Sequence, residues 1–176
     1  LEPAGFRPIE DLVCFEAEVA LTGDIPTDSQ LRHSVPADAT TVGAIAKSAF
    51  RTSRWHLDPK IPNQKADAYK GRWVENSVRG RAACVLLLQD ESGALNGFNA
   101  LMARGNTLVI DLIAVANDAQ RQGGGRRLVE GSYDYGQQNG FRRIQVCTQS
   151  VNEASIGLYR KMGFREFKRL RTWHYP

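Results

Sequence analysis

Apolar residues recur along this chain in two rhythms, and together they predict a set of strands and helices. Alternation over 12–19, with Val13, Phe15, Ala17 and Val19 on one side, predicts a strand. A short strand is expected at 31–35. Further strands are expected at 82–88, 95–103, 107–115 and 143–148, all short apolar runs, and the aromatic and basic tail 164–175 reads as a terminal strand. The helical rhythm places Val42, Ile45, Ala46, Ala49 and Phe50 on one face of a helix at 38–50. It predicts further helices at 64–78, at 124–139 and after Asn152. Pro59 and Pro62 predict a loop over 52–62. Asp90-Glu91-Ser92-Gly93 and Arg104-Gly105-Asn106 read as hairpin turns.

From residue 31 the order is β-α-α-β-β-β-α-β-α-β, which is mixed rather than regularly alternating. It predicts an α/β (α+β) fold, a mixed central sheet with helices on both faces. Residues 24–30 carry the turn formers of a linker. The expected organisation is therefore an N-terminal remnant or small lobe at 1–23, a linker at 24–30 and the main domain at 31–176. The chain opens Leu1-Glu2-Pro3 without an initiator Met, which predicts a piece of a longer protein.

Two junctions carry candidate chemistry. The apolar run ending at Val115 is followed by Gln120-Arg121-Gln122-Gly123-Gly124-Gly125-Arg126, which opens a helix. A strand, a glycine-rich turn and a helix N-terminus form a device for holding pyrophosphate, because glycine lets the backbone approach and the first-turn N–H groups point at the anion. The run 143–148 leads to a second helix, with Asn152 as N-cap, Glu153 in the first turn and Gly163 at the stop. Tyr159 follows Asn152 by two turns, on the same face.

This pattern resembles the GCN5-related N-acetyltransferases. Gln120-x-x-Gly123-x-Gly125 is similar to the family's acyl-CoA loop, and Asn152, Tyr159, Gly163 and Phe164 to its later segment. The opening stretch 31–39 is similar to its first strand and helix entry. Gln120 departs from the commoner Arg, and Asn117 from a frequent Pro. The resemblance implies a sheet splayed between two parallel strands, with a short N-terminal extension here. It implies acetyl-CoA as cosubstrate, held by Gln120, Arg121, Gln122, Gly123, Gly124, Gly125 and Arg126. Backbone groups at Ile113 and Val115 would pair with the pantetheine arm, with Asn152 and Ser155 also touching the cofactor. Tyr159 would be the general acid, since a phenol of pKa about 10 can protonate a departing thiolate; the alternative is a packed core tyrosine.

For the acceptor, Arg54, His56, Trp73 and Asp111 are the candidates. Arg54 suits a diphosphate, Trp73 a base or sugar. Asp111 interrupts an apolar strand, where a carboxylate is costly unless functional or paired. No general base is assigned. The Trp73-Val74-Glu75-Asn76-Ser77-Val78 helix and Val146-Cys147-Thr148-Gln149 with Asn152 resemble the TDP-fucosamine acetyltransferase branch, which implies a nucleotide-linked amino sugar. Peptide-amine acetylation and a non-catalytic acyl-CoA-binding module are the competing readings.

Composition narrows this picture a little. The chain has 176 residues, 42% hydrophobic and 24% charged, enough for one domain with a proper core. A net charge of +4 suits any anionic ligand and does not call for nucleic acid. No segment has the length of a membrane span. Cys14, Cys84 and Cys147 lack metal-ligand spacing, so no metal is expected. They read as buried free thiols, implying a reducing, cytoplasmic setting. The oligomeric state stays open, a homodimer included.

Overall fold

The computed structural model describes residues 5–20 and 28–175. Seven strands form one sheet in the order β2-β3-β4-β5-β6-β1-β7. They are β1 (Arg7–Glu18), β2 (Leu31–His33), β3 (Cys84–Gln89), β4 (Leu95–Arg104), β5 (Thr107–Val115), β6 (Arg143–Gln149) and β7 (Arg165–His174). The helices are α1 (Ala39–Ala49), α2 (Arg54–Leu57), α3 (Asn63–Asn76), α4 (Gly124–Gln138) and α5 (Glu153–Lys161). Only β5 and β6 run parallel; the other neighbours are antiparallel.

The sheet separates two cores. On one side α4 and α5 pack over Phe15, Leu101, Leu108, Ile110, Ile144 and Val146. On the other, α1 and α3 cover Leu87, Phe98, Ala100 and Leu112. Fully burying one such side chain is worth about 1.5–3 kcal/mol, so each face holds its helices firmly.

Three expectations change. The prefix set apart as a remnant or small lobe supplies β1, which lies between β6 and β7 of the same sheet. Its buried Val13, Phe15 and Ala17 face the same core as β6. The expected linker falls largely outside the described residues. The segment 52–62 is not all loop, because Arg54–Leu57 makes a helical turn. The cysteine reading also fails at two positions. Cys14 and Cys147 sit directly opposite in the β1–β6 register and form a disulfide, with Cys147 exposed. The support they gave to a reducing compartment goes with them. Cys84 remains a buried free thiol, its pKa pushed up to about 12 by burial. No helix among the described residues is long and apolar enough to cross a membrane.

Candidate active site

The site begins with one extra residue. Along the β4–β5 pair, Leu101 faces Ile110 but Ala100 faces Leu112, so Asp111 is the bulged residue of β5. The parallel pairing of β5 with β6 ends at the same place, with Ile110 opposite Val146. Beyond it β5 stays with β4 as far as Val115, and β6 stays with β1 as far as Gln149. A bulge bends its strand and ends pairing. The two strand ends therefore diverge, and 112–115 have no strand beside them on the side toward the gap. Such an edge accepts an extended, amide-bearing ligand as an added strand would. Ile113 and Val115 are half-buried on this stretch.

Asp111 is held in place rather than free. Trp73 donates Nε1–H to its Oδ2 at 2.7 Å, and Arg81 donates to the same oxygen at 2.9 Å. Its side chain is 14% exposed. The carboxylate that looked costly in an apolar strand is therefore paired.

Just past β5, a tight turn at Asn117–Ala119 leads into the glycine loop. Gln120 ties this loop to the strand end, donating its amide to the Val115 carbonyl and to Asn117 Oδ1, both at 3.2 Å. Arg121 and Gly123 both have positive φ, at 64° and 83°. A Cβ on Gly123 would meet nothing within 4 Å, so backbone angle is what favours glycine there. At Gly124 the reason is contact: a Cβ would lie 2.6 Å from Leu88 Cδ2. Gly125 would place its Cβ at an ordinary 3.4 Å from Leu158. No side chain caps α4, so its first-turn N–H groups are available to an anion. Gln122 reaches the Asp118 carbonyl only at 3.5 Å. Arg126 is exposed and pairs with Glu130 one turn on.

At the start of α5, Asn152 Oδ1 accepts from the Ser155 N–H at 3.2 Å. The Ser155 side chain, one turn before Tyr159, acts to lower that residue's pKa. Tyr159 is 2% exposed, its ring 6.0 Å from Phe15 and 5.7 Å from Phe164. Burial drives its phenol well above the usual range, while Ser155 works the other way. Tyr159 is thus packed in the core and kept protonated at neutral pH. Gly163, at φ 84°, ends the helix, and the Phe164 N–H returns to the Tyr159 carbonyl at 3.0 Å.

Three of the acceptor candidates, Arg54, His56 and Trp73, lie on α2 and α3, across the sheet from α4 and α5, and they differ in what surrounds them. His56 is enclosed, with its side chain 3% exposed, and its nitrogens face Ser53 Oγ at 2.8 Å and Asp67 Oδ1 at 3.0 Å. It joins α2 to α3 and is not presented to a ligand. Trp73 carries the Lys70 ammonium 4.9 Å and the Arg81 guanidinium 5.4 Å from its ring centroid, with Tyr69 edge-on at 5.5 Å. Its ring is therefore engaged within the protein. Arg54 lies over Trp55 at 4.8 Å.

Sequence reasoning missed Lys70, Glu10 and Trp55. Lys70 is 7% exposed, between the rings of Phe50 and Trp73 at 4.9 Å each. Burial pushes its pKa down to about 8, with Arg54 adding to the effect and Glu10 and Asp111 opposing it. A signal existed: Ala66, Lys70 and Val74 fall four apart on the buried stripe of α3, where a lysine is out of place. Glu10 had no such signal, because it arrives from β1.

The acetyltransferase (GNAT) family model matches residues 47–164. The spore coat polysaccharide biosynthesis protein SpsD of Bacillus subtilis (strain 168) is 26% identical over 129 residues, covering 73% of this chain and 44% of the relative. Mycothiol acetyltransferase of Renibacterium salmoninarum is 25% identical over 159 residues, covering 86% and 45%. The chain thus spans a little under half the length of both. The PaiA N-acetyltransferase of Thermoplasma acidophilum, solved in complex with coenzyme A, has a TM-score of 0.64 at 14% identity, covering 77% of this chain and 88% of that one.

Proposed function

Since the chain belongs to the acetyltransferase (GNAT) family, we propose that it transfers the acetyl group of acetyl-CoA to a primary amine. The observation that carries this reading is the gap opened between β5 and β6 at Asp111, directly beside the glycine loop. The loop amides, with Arg121 and Arg126, take the pyrophosphate. The edge at Ile113 and Val115, which has no strand beside it, takes the pantetheine arm, which lays the thioester in the gap. Asn152 and Ser155 border the same arm from the start of α5.

The amine enters from the Trp73–Asp111 side of the sheet and attacks the thioester carbonyl carbon. The C–N bond forms, the C–S bond breaks, and the amine's proton is lost to water. Tyr159 gives its proton to the departing thiolate and regains one from solvent. Burial makes the phenol a weaker acid, and the nearby Ser155 side chain works against that by favouring the ionised form.

The acceptor is read as a nucleotide-linked amino-deoxysugar. The support is the Trp73–Val78 helix pattern and a relative whose name places it in polysaccharide biosynthesis. The test is CoA release from acetyl-CoA with a dTDP-4-amino-4,6-dideoxyhexose and, separately, with a short lysine peptide. Release with the sugar nucleotide alone is expected. Release with the peptide alone would replace the sugar reading with peptide acetylation, and binding of acetyl-CoA without release from any amine would argue for a cofactor-binding module.

A further inference from the structure

Lys70 occupies a position that α3 otherwise gives to small or apolar residues, in line with Ala66 and Val74. A buried ammonium ordinarily needs a carboxylate partner. Two carboxylates lie near, and both are used elsewhere. Glu10 Oε2 accepts from the Arg54 backbone N–H at 2.9 Å and from Gln149 Nε2 at 3.2 Å. Asp111 Oδ2 accepts from Trp73 and Arg81. Among the described residues, the Lys70 ammonium has no hydrogen bond or ion pair, only the two aromatic rings.

Arg54 is a second cation without a carboxylate partner among the described residues. Its guanidinium lies over Trp55. The rings of Trp55, Tyr69 and Trp73 run side by side, at 4.8 and 5.5 Å between centroids, with Arg54 on the first and Lys70 on the last. Two cations are thus held on one run of aromatic rings, neither in direct contact with a carboxylate, while Glu10 and Asp111 offset part of the Lys70 charge from further off. The region opens outward, since Arg54 and Trp55 are half-buried and Tyr69 is 42% exposed.

We propose that Lys70 and Arg54 form a seat for an anionic group of the acceptor, a phosphate or a carboxylate, on the sheet face opposite the glycine loop. An anion there would accept from both cations in charge-assisted bonds, replacing the partner that the fold withholds. Identifying the ligand as the acceptor rests on the acetyl-transfer reading; the seat itself does not. The aromatic walls flank the ammonium without using up its donors. A phosphate would come from a nucleotide-linked sugar, and a carboxylate from an amino acid or sugar acid.

The test is calorimetric titration of inorganic phosphate, and separately of malonate, into protein saturated with CoA so that the glycine loop is filled. Lys70→Met and Arg54→Met are titrated alongside the unaltered chain. At least one anion is expected to bind, and each substitution is expected to weaken it tenfold or more while CoA affinity holds. The anion that binds names the source. Equal binding by Lys70→Met, or no anion binding by a chain that takes CoA normally, overturns the seat. A chain that takes no CoA contradicts the acetyl-transfer reading instead. The same titrations without CoA then decide the seat by whether Lys70→Met loses the anion.

Discussion

The two faces of the sheet meet at the gap between β5 and β6 but are built differently. On the α4 and α5 face, the candidate cofactor site is mostly backbone: a bulged strand edge, a loop with two positive-φ residues and an uncapped helix start. On the α1 and α3 face, the candidate acceptor site is made of long side chains from β1, α2, α3 and β5. A backbone device suits a ligand arm that is the same in every reaction of its kind. A side-chain device can be altered without disturbing the sheet, which suits a ligand that differs from one enzyme to the next. Damage to one face should therefore spare the ligand of the other.

The largest effect is expected at Tyr159, on the α4 and α5 face. Tyr159→Phe removes one oxygen and keeps the ring against Phe15 and Phe164. Steady-state kinetics should show kcat lowered by on the order of 10²–10⁴-fold with acetyl-CoA affinity nearly unchanged. Undiminished turnover would make Tyr159 a packing residue and nothing more.

Next comes the disulfide, which joins β1 to β6 over a sequence separation of 133. Cys147→Ser should cost about 2–4 kcal/mol in denaturant unfolding under oxidising conditions. It should cost little in the presence of reductant, because the unaltered chain then loses the same link. A mass unchanged by reduction would remove the disulfide from the account.

A substitution at Lys70 tests the acceptor face through pH. Its pKa is lowered from 10.5 to about 8, so the folded state binds fewer protons than the unfolded one between those values. Stability from this group therefore rises as pH climbs from 8 to 10.5, and the full cost of the buried charge is present below 8. Lys70→Met, which escapes that cost, should be more stable than the unaltered chain by about 3 kcal/mol at pH 7. The difference should shrink toward pH 10.5. A gap that does not change with pH would mean that Lys70 is not titrating in the folded protein as described.

The smallest effect is at Trp73. Trp73→Phe deletes the donor to Asp111 and leaves Arg81 as that carboxylate's partner. The expected loss is about 1 kcal/mol of stability, with a raised KM for the amine and an unchanged KM for acetyl-CoA. Equal changes in both would mean that the two faces are not separable.

The same contrast explains what could be read from the sequence. The strand at 107–115 and the glycine loop are local, so their alternation, glycines and spacing were legible, as was Asn152 as a cap. The alternation of β1 was legible too, but not its neighbours, because nothing local tells a strand that it will lie between β6 and β7. That missing partner hid the pairing of Cys14 with Cys147 and the arrival of Glu10 beside Arg54. His56 looked available because two prolines flag a loop; the helical turn that encloses it depends on Asp67 of α3. Trp73 looked free to stack because sequence does not show that Lys70 and Arg81 lie against it.

The most direct test of the two-face account is amide hydrogen exchange with and without acetyl-CoA. The account predicts added protection at 112–115 and 123–126, with little change over 54–73. Protection centred on 54–73, or none at the β5 edge while acetyl-CoA is bound, would contradict it.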